Sequence, residues 1–413
     1  MKVLQINNCH FRRGGADVVY LNTGELLEDF GDEVLYFSIK NKLNKKTKFE
    51  KYFINSIDFI ETSFLNKILL LPRFFYSRES KRKLNELIST FNPEIAHIHL
   101  YKGGLTPSIL KVLKKRKIPV VITLHDYGFL DPHNLLLDGN LNISEKCIHG
   151  SAFNCVKEKS NRNSYLLSLV STIEYVFHSI FFPFDKYFDT IITVSKFSQS
   201  KHLESKKFNW SIDHLYNFSP LLNIVAKSTK EKPKYLLYFG RLSKEKGIKT
   251  LINAVESLND KINLKIVGTG SLEFEFKEYI RDKNLSHIEL LGFKKGEELH
   301  KLIKESLFVV VPSEWYENNP MTIIESYCFS VPVIGSRVGG IPEIIDEGLT
   351  GYTYEMGNVE SLTDVINKGI NLPESEYMMM KQNARSYAEE NFSPESHYSK
   401  LIELYNKTIQ KLK

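Results

Sequence analysis

Short apolar runs recur along this chain, and most are followed by a stretch with the three-to-four-residue rhythm of a helix. In the first half the runs predict strands at Val3–Ile6, Glu33–Phe37, Ile95–Ile98, Val120–Leu124 and Thr190–Val194. Helices are predicted over Asp17–Leu27, Pro107–Lys115 and from Lys196 onward. In the second half strands are predicted at Tyr235–Phe239, Leu264–Val267, Ile288–Leu291, Leu307–Val311 and Pro332–Gly335, with helices at Gly247–Leu258 and Met321–Phe329. Runs such as VVITL are continuously apolar and β-branched, as strands buried on both faces are. Repeated strand–helix units in both halves imply an α/β protein with two parallel sheets and a cleft between them. A chain of 413 residues also exceeds what one core usually serves. The expected division is a first domain over residues 1–217 and a second over 218–393. Around Asn217 to Pro233 the pattern is weak, which suggests a connection that acts as a hinge. Leu401, Leu404 and Tyr405 share one face of a final helix beginning at Pro394 after a capping Ser393.

Composition narrows this only a little. Hydrophobic residues at 42% and charged residues at 25% are ordinary for a globular enzyme and exclude a disordered or collagen-like chain. The net charge of +6 suits an anionic ligand or lipid surface, but no block of cations interleaved with aromatics predicts nucleic-acid binding. Cys9 and Cys328 read as buried thiols. Cys147 and Cys155 flank His149 at a spacing that fits no compact zinc knuckle, so no metal is expected. The opening MKVLQINN reads as a strand rather than a leader, and no apolar run is long enough to span a bilayer, so the expected location is the cytoplasm. Two greasy segments stand out, Leu65–Tyr76 and Tyr165–Phe184. Each is either a core helix or a surface resting on lipid.

The sharpest motif is PSEWYENNPMTIIESYCFSVPVIGSRVGGIPEII, Pro312 to Ile345, with Glu317 and Glu325 separated by seven residues. Upstream stand YFGRLSKEKG, with Gly240, Arg241 and Lys246, then IVGTG with Gly268 and Gly270, and LGF with Phe293. The first half contributes RRGGAD, with Gly14 and Gly15, and TLHD, with His125 and Asp126. Together these resemble the retaining glycosyltransferases of family 4, also called group 1, over nearly the whole chain. The resemblance implies the GT-B fold, in which two Rossmann-like domains face each other, and a last helix, 394–413, that packs back on the first domain. It also implies transfer of a sugar from a nucleoside-diphosphate donor, such as a UDP- or GDP-sugar, with no bound metal and no further cofactor. A glycan or lipid-linked acceptor in bacterial surface polysaccharide synthesis is the implied partner, and contact with an anionic membrane surface is expected where a greasy segment rests on lipid rather than in the core.

The residue types suit that chemistry. Cleaving the donor builds negative charge on phosphate oxygens, which fixed cations and amides stabilise. Arg241 and Lys246 follow a strand at the ligand edge of a parallel sheet and supply the cations. Asn319 is expected to cap the helix that Pro320 begins, with Met321 and Thr322 turning backbone N–H groups toward phosphate. Asn319 would then compete for one of those amides. Glu317, in the loop before that helix, would bond a sugar hydroxyl, and Glu325, within the helix, is implied to accept from ribose hydroxyls. Glu314 rivals Glu317 by proximity. Gly15, Gly240, Gly268 and Gly270 would allow close approach to the donor, and Phe293 with its backbone neighbours would hold the base. His125 is either a general base or a positioning group. The rival functions are a GT-B sugar-nucleotide epimerase and a non-catalytic nucleotide-sugar binder.

Overall fold

The structure is a computed structural model that describes residues 1–56, 73, 75–205, 211–223, 235–258 and 262–411. The first sheet comprises β1 (Lys2–Ile6), β2 (Glu33–Phe37), β3 (Ile95–Ile98), β4 (Val120–Leu124), β5 (Thr190–Thr193) and β6 (Ile212–His214). Its strands run parallel in the order β2-β1-β3-β4-β5-β6. The second sheet comprises β7 (Tyr235–Phe239), β8 (Asn263–Val267), β9 (Ile288–Gly292), β10 (Phe308–Val311), β11 (Val333–Ser336) and β12 (Gly351–Tyr354). It is also parallel, in the order β12-β11-β10-β7-β8-β9. β3, β4, β7 and β10 are buried at every position, which explains why the apolar runs were continuous rather than alternating.

In such sheets, ligands sit beyond the carboxyl ends of the strands, where the strand order reverses. The reversals fall between β1 and β3 in the first sheet and between β7 and β10 in the second. The loops that follow these strands therefore frame the cleft.

Each sheet has its own core. One apolar cluster fills the first domain, and two others cover the faces of the second sheet. The last helix, Pro394–Gln410, is capped by Ser393 Oγ and belongs to the first domain's core through Leu401 and Tyr405. Thr408 and Thr190 share a hydrogen bond of 2.7 Å, and Tyr398 stacks on Phe30 at 4.0 Å. Among the described residues, no helix is long and apolar enough to cross a membrane.

The greasy segment Tyr165–Phe184 divides. Phe182 is buried and Phe184 stacks on Phe129 at 3.8 Å, so its end is core. The helix Tyr165–Phe181 instead buries Ser168, Thr172, Tyr175 and His178 and exposes Leu166, Leu169, Ile173, Ile180 and Phe181. Of the other segment, Leu65–Tyr76, only Arg73, Phe75 and Tyr76 lie within the described residues, as does only the start of the connection after Asn217. All four cysteines are buried, and none forms a disulfide with another. Burial raises the thiols of Cys147 and Cys155, with Asp131 adding to the effect.

Candidate active site

A cavity of about 460 Å³ opens between the domains. The first domain lines it with Arg13, Gly14, Gly15 and Ala16 after β1 and with His125, Asp126 and Tyr127 after β4. The second lines it with Gly240 and Arg241 after β7, Lys246, and the stretch from Ser313 to Thr322 after β10. Every one of these loops leaves the carboxyl end of a strand.

Its centre is an ion pair. Lys246 Nζ lies 2.5 Å from Glu317 Oε1. The same oxygen accepts from Ser313 Oγ at 2.8 Å and Trp315 Nε1 at 2.9 Å, and Lys246 sits 4.9 Å from the Trp315 ring centroid. Burial alone would raise the Glu317 carboxyl. Lys246 and the two further donors outweigh it and hold it below the usual range, so Glu317 is anionic. Glu317 Oε2 accepts no hydrogen bond from a described residue.

Backbone shape brings this pair together. Gly247, directly after Lys246, has φ 66°, and a Cβ there would lie 1.8 Å from the Pro312 carbonyl oxygen. Only glycine lets the loop after β7 press on the loop after β10 at this point. Glu314, the rival carboxylate, turns away to accept from Thr250 Oγ1 at 2.6 Å. Arg241 is largely exposed and pairs loosely with Glu245 at 3.3 Å.

The helix start differs from the expectation. The helix is Met321–Cys328, and Pro320 occupies the cap position rather than the first turn. Asn319 does not cap it. Its Oδ1 accepts from the Asn217 amide at 2.8 Å, and its backbone carbonyl accepts from Asn217 Nδ2 at 3.2 Å. This contact ties the interdomain connection to the site. It also leaves the first amides of the helix without a side-chain cap, facing the cavity. The helix Gly15–Asp29 likewise starts at Gly14 with no side-chain cap. Two uncapped helix N-termini thus meet at one cavity, a strong setting for an anion.

The other predicted residues fall into two groups. Gly15, His125, Gly240, Arg241, Asn319, Pro320, Met321 and Thr322 line the cavity with Lys246 and Glu317. Gly268, Gly270, Phe293 and Glu325 do not. Gly268 backs onto the carbonyl of Gly240, Gly270 backs onto that of Leu242, and both shape the loop that carries Arg241. Phe293 is 68% exposed, so its ring encloses nothing in this structure.

Glu325 is partly buried one turn beyond Met321, and no described side chain donates to it. Burial pushes its carboxyl up to about 7, and Arg12 pulls the other way. The folded protein therefore holds this proton at pH values where the unfolded chain, titrating near 4.5, has lost it. The stability contributed by the neutral form fades as pH rises through about 7. A ligand hydroxyl bonded to the carboxylate would expel the proton. Nucleoside-diphosphate binding at pH 6 should then release up to about one proton. The Glu325→Gln protein should lack that release in titration calorimetry run in buffers of different ionisation enthalpy. Equal release by both proteins would show that Glu325 does not meet the ligand.

Sequence reasoning missed Asn318, whose Nδ2 donates to the His125 carbonyl at 2.8 Å across the cleft, and it missed Trp315 as a donor to Glu317. It also missed how the domains hold each other. Glu343 of the GGIPE turn accepts from the amides of Lys196 and Phe197, at 3.0 and 2.9 Å, on a first-domain helix already capped by Ser195. Glu145, His149 and Glu204 bring potential ligand atoms within 4.8 Å of one another. Lys201 fills that place, 2.7 Å from Glu145 and 3.1 Å from Glu204.

Two parallel α/β domains enclose a cleft at their switch points, where sheets of this kind bind ligands, and comparison with known proteins narrows the class. Residues 223–387 match the family described as Glycosyl transferases group 1, and residues 13–218 match Glycosyltransferase Family 4. Between them the two family models span most of the chain, which belongs to the group 1 glycosyltransferases and has the GT-B fold. It is 33% identical over 183 residues to an uncharacterized glycosyltransferase of Methanocaldococcus jannaschii, covering 44% of this chain and 50% of that one. It is 28% identical over 192 residues to the lipopolysaccharide 1,2-N-acetylglucosaminetransferase of Salmonella typhimurium, covering 44% and 49%. The chain thus spans about half the length of these curated relatives. The solved Anabaena protein Alr3699/HepE in complex with UDP superposes with a TM-score of 0.68 at 16% identity, covering 98% of this chain and 100% of that one.

Proposed function

We propose that the cleft binds a nucleoside-diphosphate sugar and passes its sugar, with retention of anomeric configuration, to a hydroxyl of a glycan or lipid-linked acceptor in bacterial surface polysaccharide synthesis. The observation that carries this reading is the cavity itself. Arg241, Arg13, Lys246 and two uncapped helix N-termini converge on one polar space, and Glu317 beside them keeps one carboxylate oxygen free. The cations and amides would hold the diphosphate, and Glu317 Oε2 would accept from a hydroxyl of the departing sugar. In the transfer the bond from the anomeric carbon to the phosphate oxygen breaks as the acceptor oxygen bonds that carbon from the same face. The acceptor's proton passes to the leaving diphosphate, so no protein carboxylate need act as nucleophile. The UDP-bound relative in structure and the lipopolysaccharide transferase in sequence support the substrate classes.

Because protein cations meet the diphosphate charge, the reaction is expected to need no metal. UDP, GDP or ADP should raise the melting temperature by mass action, and EDTA should leave both that shift and turnover intact. Loss of both with EDTA, restored by Mg²⁺ or Mn²⁺, would overturn this account of diphosphate binding.

The same reading places the enzyme at the inner face of the cytoplasmic membrane. The helix Tyr165–Phe181 turns its polar side inward and its apolar side out, with Leu166 70% and Ile180 65% exposed. Exposed Lys157 and Arg162 precede it, and Lys159 lies 4.5 Å from the Tyr165 ring centroid. An apolar stripe beside cations matches an anionic bilayer. The protein should co-sediment with vesicles containing anionic lipid, and a Leu166→Ser, Ile173→Ser, Ile180→Ser variant should not. Absence of wild-type binding, or equal binding by the variant, would remove this surface.

A further inference from the structure

His125 is one end of a buried chain of hydrogen bonds that reaches the last helix. His125 Nε2 lies 2.9 Å from His99 Nδ1, with the two rings nearly coplanar, 13° apart, and their centroids 5.1 Å apart. His99 Nε2 lies 3.1 Å from Gln5 Oε1. Gln5 Nε2 donates to the Tyr405 hydroxyl at 3.5 Å. That hydroxyl lies 2.7 Å from His97 Nδ1, and His97 Nε2 lies 2.7 Å from Thr123 Oγ1. Gln5, His97, His99 and Tyr405 are all buried.

The donors and acceptors order the protons along this chain. Gln5 Oε1 can only accept, so His99 Nε2 carries the hydrogen. A neutral His99 then has a bare Nδ1, which must accept from His125 Nε2–H. His125 is left with a lone pair on Nδ1, and no described residue donates to it. At the far end Gln5 Nε2–H satisfies the Tyr405 oxygen, Tyr405 O–H points at His97 Nδ1, and His97 Nε2–H points at Thr123. Each buried donor finds an acceptor in this one direction.

We infer that Gln5 and His99 are positioning residues that hold His125 as the neutral Nε2–H tautomer, so that it offers only an acceptor to the bound sugar. This rests on the reading of the cavity as the donor-sugar site. His125 lines that cavity, and Asn318 of the opposite domain holds its backbone carbonyl. His125 therefore does not remove a proton through Nε2. It selects a sugar that presents a hydroxyl at this point, and it disfavours one that presents a carboxylate, as a uronic acid would. Burial lowers the basicity of His97, His99 and His125 together, which keeps the chain neutral.

The test is a long-range ¹H–¹⁵N spectrum of the full chain labelled at histidine nitrogen, with His125 assigned by its loss in His125→Gln. The expected spectrum shows a protonated Nε2 and a bare Nδ1 at pH 7.5. A protonated Nδ1, or an imidazolium, overturns the inference. Gln5→Glu supplies a carboxylate that draws a second proton onto His99, whose Nδ1–H then donates to His125. This variant should move His125 to the Nδ1–H form and lower kcat/KM for the sugar donor about tenfold, the scale of one misplaced hydrogen bond. Affinity for the bare nucleoside diphosphate should stay unchanged. Equal losses in both would mean general damage, and the inference would fall. The wild-type spectrum needs no activity, so an enzyme that transfers sugar with the opposite tautomer rejects this inference alone. A protein with the expected tautomer but no transfer rejects the functional reading instead.

Discussion

Replacing Lys246 with alanine is expected to lower turnover at saturating donor by about 2–4 kcal/mol of transition-state stabilisation, or roughly a hundredfold to a thousandfold. Two effects act together. On the proposed function, the leaving diphosphate would lose a cation fixed at the site of charge development. Glu317 loses the partner that keeps it ionised, because only Ser313 and Trp315 would remain against its burial. The carboxyl should then titrate higher, and the sugar hydroxyl would meet a protonated acid for part of the population. Stability should fall as well, toward the lower end of the about 3–5 kcal/mol seen when one partner of a buried pair is removed. Both side chains keep some solvent contact, 19% for Lys246 and 11% for Glu317, which favours that lower end. Steady-state kinetics with urea denaturation separates the two effects. Near-normal turnover would show that Lys246 serves the fold and not the phosphate.

Gly247→Ala is expected to be nearly as damaging without removing any charge. Alanine pays about 1–2 kcal/mol to take the left-handed backbone found there. Its Cβ would also sit 1.8 Å from the Pro312 carbonyl oxygen, so the two loops must part. Lys246 and Glu317 ride on those loops, and a shift of about 1 Å at a site of this kind can cost on the order of a hundredfold in rate. The predicted signature is a loss in kcat together with weaker diphosphate binding. The decisive control is that Gly357→Ala, with φ 72° but open space around its Cβ, should lose stability and leave kcat alone. Equal kinetic effects from the two variants would refute the loop-contact argument.

Some of this was readable in the chain and some was not, for physical reasons. VVITL and FVVV announced buried parallel strands because burial on both faces demands unbroken apolar runs. The edge strands Ile212–His214 and Gly351–Tyr354 escaped, since three or four residues with polar or glycine positions carry no such run. Lys246 and Glu317 were each visible, but their pairing across 71 positions was not. Asn319 looked like a cap because local sequence cannot show a competing partner 102 residues away at Asn217. The seven-residue spacing to Glu325 already favoured Glu317 over Glu314, and the Thr250 contact supplies the physical reason that Glu314 turns away. The helix Tyr165–Phe181 was readable as apolar, but which side faced solvent depended on what its serine, threonine and histidine found to bond. His97 and His99 carry no motif of their own, and only the fold shows that they link Tyr405 and Gln5 to His125.

The central claim is that the cleft breaks a sugar nucleotide to hand its sugar to an acceptor. The most direct measurement is release of nucleoside diphosphate from a panel of sugar nucleotides, with and without lipid-linked acceptor extracted from a bacterial membrane. The account predicts release from one donor class, strongly increased by acceptor and matched by sugar incorporated into the lipid fraction. Interconversion of sugars with no diphosphate released, or binding of donors with neither outcome, would contradict it.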